Sequence, residues 1–198
     1  MRLHTRIRAF TCPMPEVLSR APESGRLLEV GCGHGLFSNA CALRSPGLQV
    51  LGIDPAPLKI RAAAGSVNGR ANVRFQEGRI ETLRERGFDC VAILDVLYLV
   101  PRGEWGAFLA GCRDALRQGG RLLLKEVDVR PRWKFRRCVL QETLSVRLLG
   151  LTLGGEFAFA PKDEMRGVLE AAGFAGVAAT DLGSGYLTPH VLYEATRP

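Results

Sequence analysis

The sequence predicts an α/β fold in which seven strands form a mostly parallel sheet with helices on both faces. Three observations predict it. Strand-like and helix-like stretches alternate from about residue 25 to residue 128, the pattern that puts helices over a parallel sheet with right-handed crossovers. "FDCVAILDVL", residues 88–97, is a nearly continuous apolar run, as a strand buried on both faces requires. "LLEVGCGHGLFSNA", residues 27–40, takes a strand through a glycine-rich turn straight into a helix.

The elements follow in order. "GRLLEVG" (25–31) is the first strand and "LFSNACALR" (36–44) the helix after it. "LQVLGIDP" (48–55) is the second strand, "PLKIRAAAGSVN" (57–68) a helix and "NVRFQEG" (72–78) the third strand. "GEWGAFLAGCRDAL" (103–116) puts Trp105, Phe108, Leu109, Cys112 and Leu116 on one helical face, and Gly119-Gly120 is read as its stop. "GRLLLKEVD" (120–128) is the fifth strand. Residues 129–159 are longer than a crossover requires, with "CVLQETLSVRLLGL" (138–151) apolar enough for a helix. "PKDEMRGVLEAAGF" (161–174) resumes a helix with Met165, Val168, Leu169 and Ala172 at core spacing. "GVAATDLG" and "HVLYEATR" are two last strands, close enough to form a hairpin.

The 198 residues suit one domain with a sizeable core. The expected division is a single domain over 1–198, with an N-terminal arm or lid at 1–20 and a substrate-cap insertion at 129–160. No apolar run approaches the ~20 residues of a membrane span, and "MRLHTRIRAFTCPMP" lacks the apolar centre of a secretory signal. The expected location is the cytoplasm. The six cysteines form no C-x-x-C pair and no zinc-ligand spacing, so they read as small buried residues and no metal is expected. The net charge of +7 favours anionic partners in general and selects none.

The glycine loop carries the chemistry. A strand turning into a helix leaves free backbone N–H groups at the helix start, and glycines there let a ligand approach closely. A dinucleotide fingerprint, G-x-G-x-x-G, fits badly, because Ser38 stands where the third glycine belongs. The spacing is G-x-G-x-G, Gly31-Gly33-Gly35, with Glu29 two residues ahead. A carboxylate there is awkward for a pyrophosphate and suits a ligand bearing an ammonium and a sulfonium. Asp54, 19 residues beyond Gly35, can accept bonds from both hydroxyls of a ribose.

"LLEVGCGHG", "VLGIDP", "FDCVAILDVLYLVP" and "ALRQGGRLLLKEVD" together resemble the class I S-adenosylmethionine-dependent methyltransferases, over about residues 25–128. The resemblance implies a Rossmann-like sheet whose last strand runs antiparallel. It implies S-adenosylmethionine as cofactor and S-adenosylhomocysteine as product. By the same resemblance Glu29 orients the methionine ammonium, and Gly31, Gly33 and Gly35 let the loop pass under the cofactor. Asp54 holds the ribose, Pro55 and Leu58 lie near the adenine, and Ile80 packs on its ring. Asp95 faces the methionine part and the substrate mouth. Arg79 breaks the pattern, since the family commonly has an acidic residue there; Glu77, Glu81 or backbone groups are the substitutes. "KEVDVRPRWK" and "PHVLYEA" also resemble a bacterial subgroup associated with lipid or polyene assembly.

Methyl transfer needs alignment, exclusion of water and, for a hydroxyl acceptor, a base. His190, at the start of the last strand, is a candidate base or a structural strand-end histidine. Tyr98, three residues past Asp95, contacts the methyl donor or substrate, or only packs. Glu126 and Asp128 end the fifth strand as substrate contacts or as ion-paired carboxylates. Residues 130–137 hold five cations with Trp133 and Phe135 among them. They read as a solvated face, as a peripheral contact with an anionic membrane, or as an RNA contact. The expected activity is methyl transfer to a small or lipid-like acceptor at oxygen. An RNA or protein methyltransferase, or a non-catalytic cofactor-binding subunit, is the alternative. "LDVLYL" replaces the Pro-Pro-aromatic motif of enzymes that methylate base amino groups, which argues against that use of nucleic acid.

Overall fold

A computed structural model describes residues 12–149 and 157–198, without the side chains of 141–149. Its seven strands are β1 (Ser24–Val30), β2 (Gly47–Asp54), β3 (Val73–Glu77), β4 (Phe88–Leu94), β5 (Leu116–Val127), β6 (Ala175–Asp181) and β7 (His190–Thr196). The helices are α1 (Met14–Arg20), α2 (Leu36–Arg44), α3 (Pro57–Ala64), α4 (Trp105–Ala115), α5 (Arg132–Leu149) and α6 (Lys162–Ala171). The sheet order is β3-β2-β1-β4-β5-β7-β6. The first five strands pair in parallel. β7 lies between β5 and β6 and runs antiparallel to both, so the last two strands do form the expected hairpin.

Alternation along each strand sends side chains to two cores. Leu28, Leu51, Val91, Ile93, Leu122 and Leu124 face α4 and α6, where Leu109, Cys112 and Leu169 are buried. Leu27, Val50, Cys90, Ala92 and Leu123 share the other core with Val17 of α1 and with Phe37 and Cys41 of α2. All six cysteines are buried.

Two boundaries differ from the sequence reading. α4 ends at Ala115, ahead of Gly119-Gly120, because Leu116 turns to an extended conformation and pairs at once with Phe88 of β4. The register then shifts before Cys90 meets Arg121. Gly120 serves that shift: a Cβ on it would lie 3.0 Å from the Phe88 carbonyl oxygen. α5 begins at Arg132 instead of Cys138, so the cation-rich run belongs to the helix. Of the expected N-terminal arm, residues 1–11 lie outside the described residues. Met14 and Val17 of α1 are buried.

Candidate active site

Between β1 and α2 the chain turns through Gly31, Gly33 and Gly35, with φ of 74°, 54° and 75°. That left-handed region strains a residue bearing a Cβ. Space separates the three. A Cβ on Gly31 would fall 2.4 Å from Val96, and one on Gly35 would fall 2.4 Å from Phe75. A Cβ on Gly33 would meet nothing within 4 Å. The outer glycines are therefore small for the protein's own packing, and Gly33 opens the loop to the outside.

Two carboxylates hold this loop from below. Asp54, at the carboxyl end of β2, accepts the Gly33 N–H on Oδ2 and the Ala56 N–H on Oδ1, each at 2.9 Å. Glu29 accepts the Ser38 N–H at 2.9 Å and the Ser38 hydroxyl on Oε2. Both residues are buried, at 6% and 4% exposure. The Gly33 amide and the Ser38 amide of α2, which would otherwise attract a phosphate, are thus committed to carboxylates, and those of Gly31, Cys32 and Gly35 to backbone carbonyls, so the local field is negative. The Cys32 thiol registers that field: burial, then the charges of Glu29 and Asp54, push it far up. A thiol held protonated is a poor nucleophile. The donor set and the open face at Gly33 fit a cationic, ribose-bearing ligand and oppose a pyrophosphate.

Beyond the loop, Pro55 is exposed and Leu58 is 72% exposed at the start of α3. Ile80 is 1% exposed, in the core against Gly111 of α4. Its side chain is committed to packing, and Arg79, Glu77 and Glu81 are exposed around that turn.

The second half of the site is the turn after β4. Asp95 has φ 58°, a conformation Asp tolerates better than most residues. Two consecutive residues of β5 fix it. The Lys125 ammonium, fully buried, donates to Asp95 Oδ1 at 2.5 Å, and the Asp95 N–H donates to the Lys125 carbonyl at 2.9 Å. The Glu126 carboxyl accepts the N–H groups of Val96 at 3.2 Å and Leu97 at 2.8 Å on Oε1. Val96 is also the side chain packed on Gly31, so β5 positions the glycine loop through this turn. Burial, and then the nearby Asp95 charge, push the Glu126 carboxyl up to about 8.

Sequence reasoning missed this arrangement. Its signal was visible in "RLLLKEV", where a lysine and a glutamate interrupt a buried strand and each requires a partner. Neither could be assigned one before β4 was known to be the neighbour.

Tyr98 follows on the same turn, 7% exposed. Its ring stacks on Phe159 at 5.1 Å and meets Phe157 edge-on at 5.9 Å. Phe135 of α5 meets Phe159 edge-on at 5.0 Å, and the Tyr98 backbone carbonyl accepts the Ala158 N–H at 2.9 Å. The segment from 157 to 160 and the start of α5 thus make an aromatic wall against the β4 turn. His190 stands at the start of β7. It pairs across the ladder with Val127, so it lies on the sheet face of Lys125, opposite that of Glu126. Its ring meets Tyr186 edge-on at 5.5 Å. The structure therefore ties Asp95 to Lys125, places Tyr98 in the aromatic wall and sets His190 on the neighbouring strand β7, 5% exposed.

Comparison with known proteins agrees with this geometry. A family profile described as a methyltransferase domain matches residues 27–120. The chain is 31% identical to a ubiquinone biosynthesis O-methyltransferase of Xylella fastidiosa over 137 residues, which is 67% of this chain and 54% of that protein. The chain spans about half the length of the curated relatives it matches. Two solved structures share the fold. The apo S-adenosylmethionine-dependent methyltransferase SibL superposes with a TM-score of 0.73 at 24% identity, over 94% of this chain and 55% of that one. Human N-acetylserotonin methyltransferase, in complex with SAM, superposes with a TM-score of 0.75 at 18% identity, over 99% of this chain and 54% of that one. The sheet order, the carboxylate-held glycine loop and these likenesses agree: the chain belongs to the class I S-adenosylmethionine-dependent methyltransferases.

Proposed function

We propose that this protein transfers the methyl group of S-adenosylmethionine to a hydroxyl of a small or lipid-like acceptor. One observation carries the reading: an aromatic wall of Tyr98, Phe157 and Phe159 stands at the β4 turn, while that turn is packed through Val96 on the glycine loop. An apolar acceptor seated on the wall is thereby presented to the loop. The name of the Xylella relative, an O-methyltransferase, supports oxygen as the accepting atom.

When bound, S-adenosylmethionine supplies a methyl group on a sulfonium, already activated for in-line displacement. The chain's own residues bind and align. Asp54 has one amide bond on each oxygen, leaving acceptor capacity for the two ribose hydroxyls. Glu29 and Asp54 give the loop the charge that suits a sulfonium and an ammonium. Pro55 and Leu58 offer exposed surface near the adenine. Asp95, fixed by Lys125, sets the wall of the pocket nearest the acceptor, and Tyr98 packs beside it. The acceptor hydroxyl loses its proton as the O–C bond forms, and His190 is the residue assigned to take it. The described part of residues 129–160, 129–149 and 157–160, is assigned as the cap over the acceptor, and α1 as the described part of the arm at 1–20; residues 1–11 and 150–156 lie outside the described residues. Among the described residues no helix is long and apolar enough to cross a membrane.

Calorimetric titration with S-adenosylmethionine, S-adenosylhomocysteine and NAD tests the cofactor. Binding of the first two and not of NAD is expected; binding of NAD alone overturns the reading. Methyl transfer to phenolic and lipid-linked hydroxyl acceptors then tests the acceptor class. Transfer only to RNA or protein would replace it with the alternative reading.

A further inference from the structure

The exposed face of α5 remains. Trp133, Arg136, Arg137 and Leu140 stand at i, i+3, i+4 and i+7 and share one helical stripe, and all four are exposed. Trp133 is 56% and Leu140 62% exposed. Arg132 is exposed beside them, and no acidic residue lies between Arg130 and Leu140. The other side of the helix is committed, with Cys138 buried and Phe135 on the aromatic wall. Lys134 donates to the Gly183 carbonyl at 2.8 Å, which ties α5 to the β6–β7 loop. That loop carries Leu187, 62% exposed.

We propose that this face of α5 docks on an anionic lipid bilayer, with Trp133 and Leu140 entering the interface and Arg132, Arg136 and Arg137 meeting lipid phosphates. The chemistry selects lipid over single-stranded RNA. Sequence-tolerant RNA binding uses a series of aromatic platforms. Here Trp133 has the Lys134 ammonium 5.7 Å from its ring centroid, and the exposed apolar residue sharing its stripe is the aliphatic Leu140. Aliphatic and indole groups bracketed by arginines suit the headgroup boundary of an anionic membrane. Docking there sets the cap helix, with Phe135 on its inner side, between the bilayer and the acceptor wall. A lipid-like acceptor would then reach the wall from the membrane. That delivery step rests on the acceptor class proposed above; docking itself does not.

The test uses the full chain with vesicles of phosphatidylcholine alone and of phosphatidylcholine with phosphatidylglycerol. Co-sedimentation measures binding, and tryptophan fluorescence locates it. Trp105 is 2% exposed, so a blue shift on adding vesicles reports Trp133. Binding to the anionic vesicles, weakening with salt, is expected. The double variant R136E/R137E should reduce partitioning by about tenfold or more, and Trp133→Ser should remove the shift. Both variants change exposed side chains, and S-adenosylmethionine binding by calorimetry should match the parent, which checks folding and separates docking from the methyltransferase reading. No binding to anionic vesicles, equal binding to neutral ones, or binding insensitive to R136E/R137E would each overturn the proposal. So would tight binding of a single-stranded RNA that is lost in R136E/R137E without any vesicle binding.

Discussion

Glu126 gives the sharpest prediction. It is 3% exposed and its carboxyl is pushed up to about 8 from an ordinary 4.5. Burial is the main cause. The Asp95 charge adds to it, and the Leu97 and Val96 amides and the Lys125 ammonium oppose it. Between those two values the folded protein holds a proton on Glu126 that the unfolded chain has released. Stability is therefore highest below the unfolded value and falls as pH rises toward the folded one. The slope is about 1.4 kcal/mol per pH unit, or about 3 kcal/mol over two units. Glu126→Gln keeps a carbonyl oxygen for the Leu97 amide and removes the titration. Urea unfolding followed by circular dichroism, at several pH values from about 5 to about 8, should show the parent losing stability relative to the variant across the window. Parallel losses in the two proteins would refute both the proton on Glu126 and the electrostatic account of the β4 turn.

The remaining predictions concern the loop and its supports. Asp54→Ala should weaken S-adenosylmethionine binding by about 1–3 kcal/mol, through lost charge-assisted hydrogen bonds; calorimetry reads it, and unchanged affinity rejects the ribose assignment. Gly33→Ala and Gly35→Ala should separate, because only the second meets a ring, Phe75. The first should lower cofactor affinity beyond its backbone strain of about 1–2 kcal/mol, and the second should lower the melting temperature more. Lys125→Met, which strands the Asp95 carboxylate, should destabilise by up to about 3–5 kcal/mol, and Asp95→Asn added to it should recover much of the loss. His190→Ala should cut turnover while cofactor affinity stays near that of the parent. Normal turnover would return His190 to a purely structural place beside Tyr186.

Much of this architecture was legible because its signals are local. The apolar run at 88–97, the glycine turn at 31–35 and the helical spacing of Met165, Val168, Leu169 and Ala172 depend on near neighbours, so periodicity and turn chemistry suffice. The boundary at Ala115 was misread because Gly119-Gly120 resembles a helix stop. What ends the helix is Leu116 pairing with Phe88, 28 residues earlier. The start of α5 was placed late because a run of cations with aromatics shows no apolar stripe until Phe135 and Cys138 find their partners.

The sequence by itself determined the order of strands and helices, the position of the glycine loop and the acidic residues around it. Each follows from the chemistry of a residue and its near neighbours along the chain. Tertiary structure alone decided which groups stand together. It placed Lys125 and Glu126 beneath the β4 turn, packed Val96 against Gly31, left the Gly33 side open and set His190 across from Val127. Those contacts join residues that are distant in sequence. Such pairings follow from sheet order and register, and a buried charge becomes stable only when the strand beside it supplies its partner.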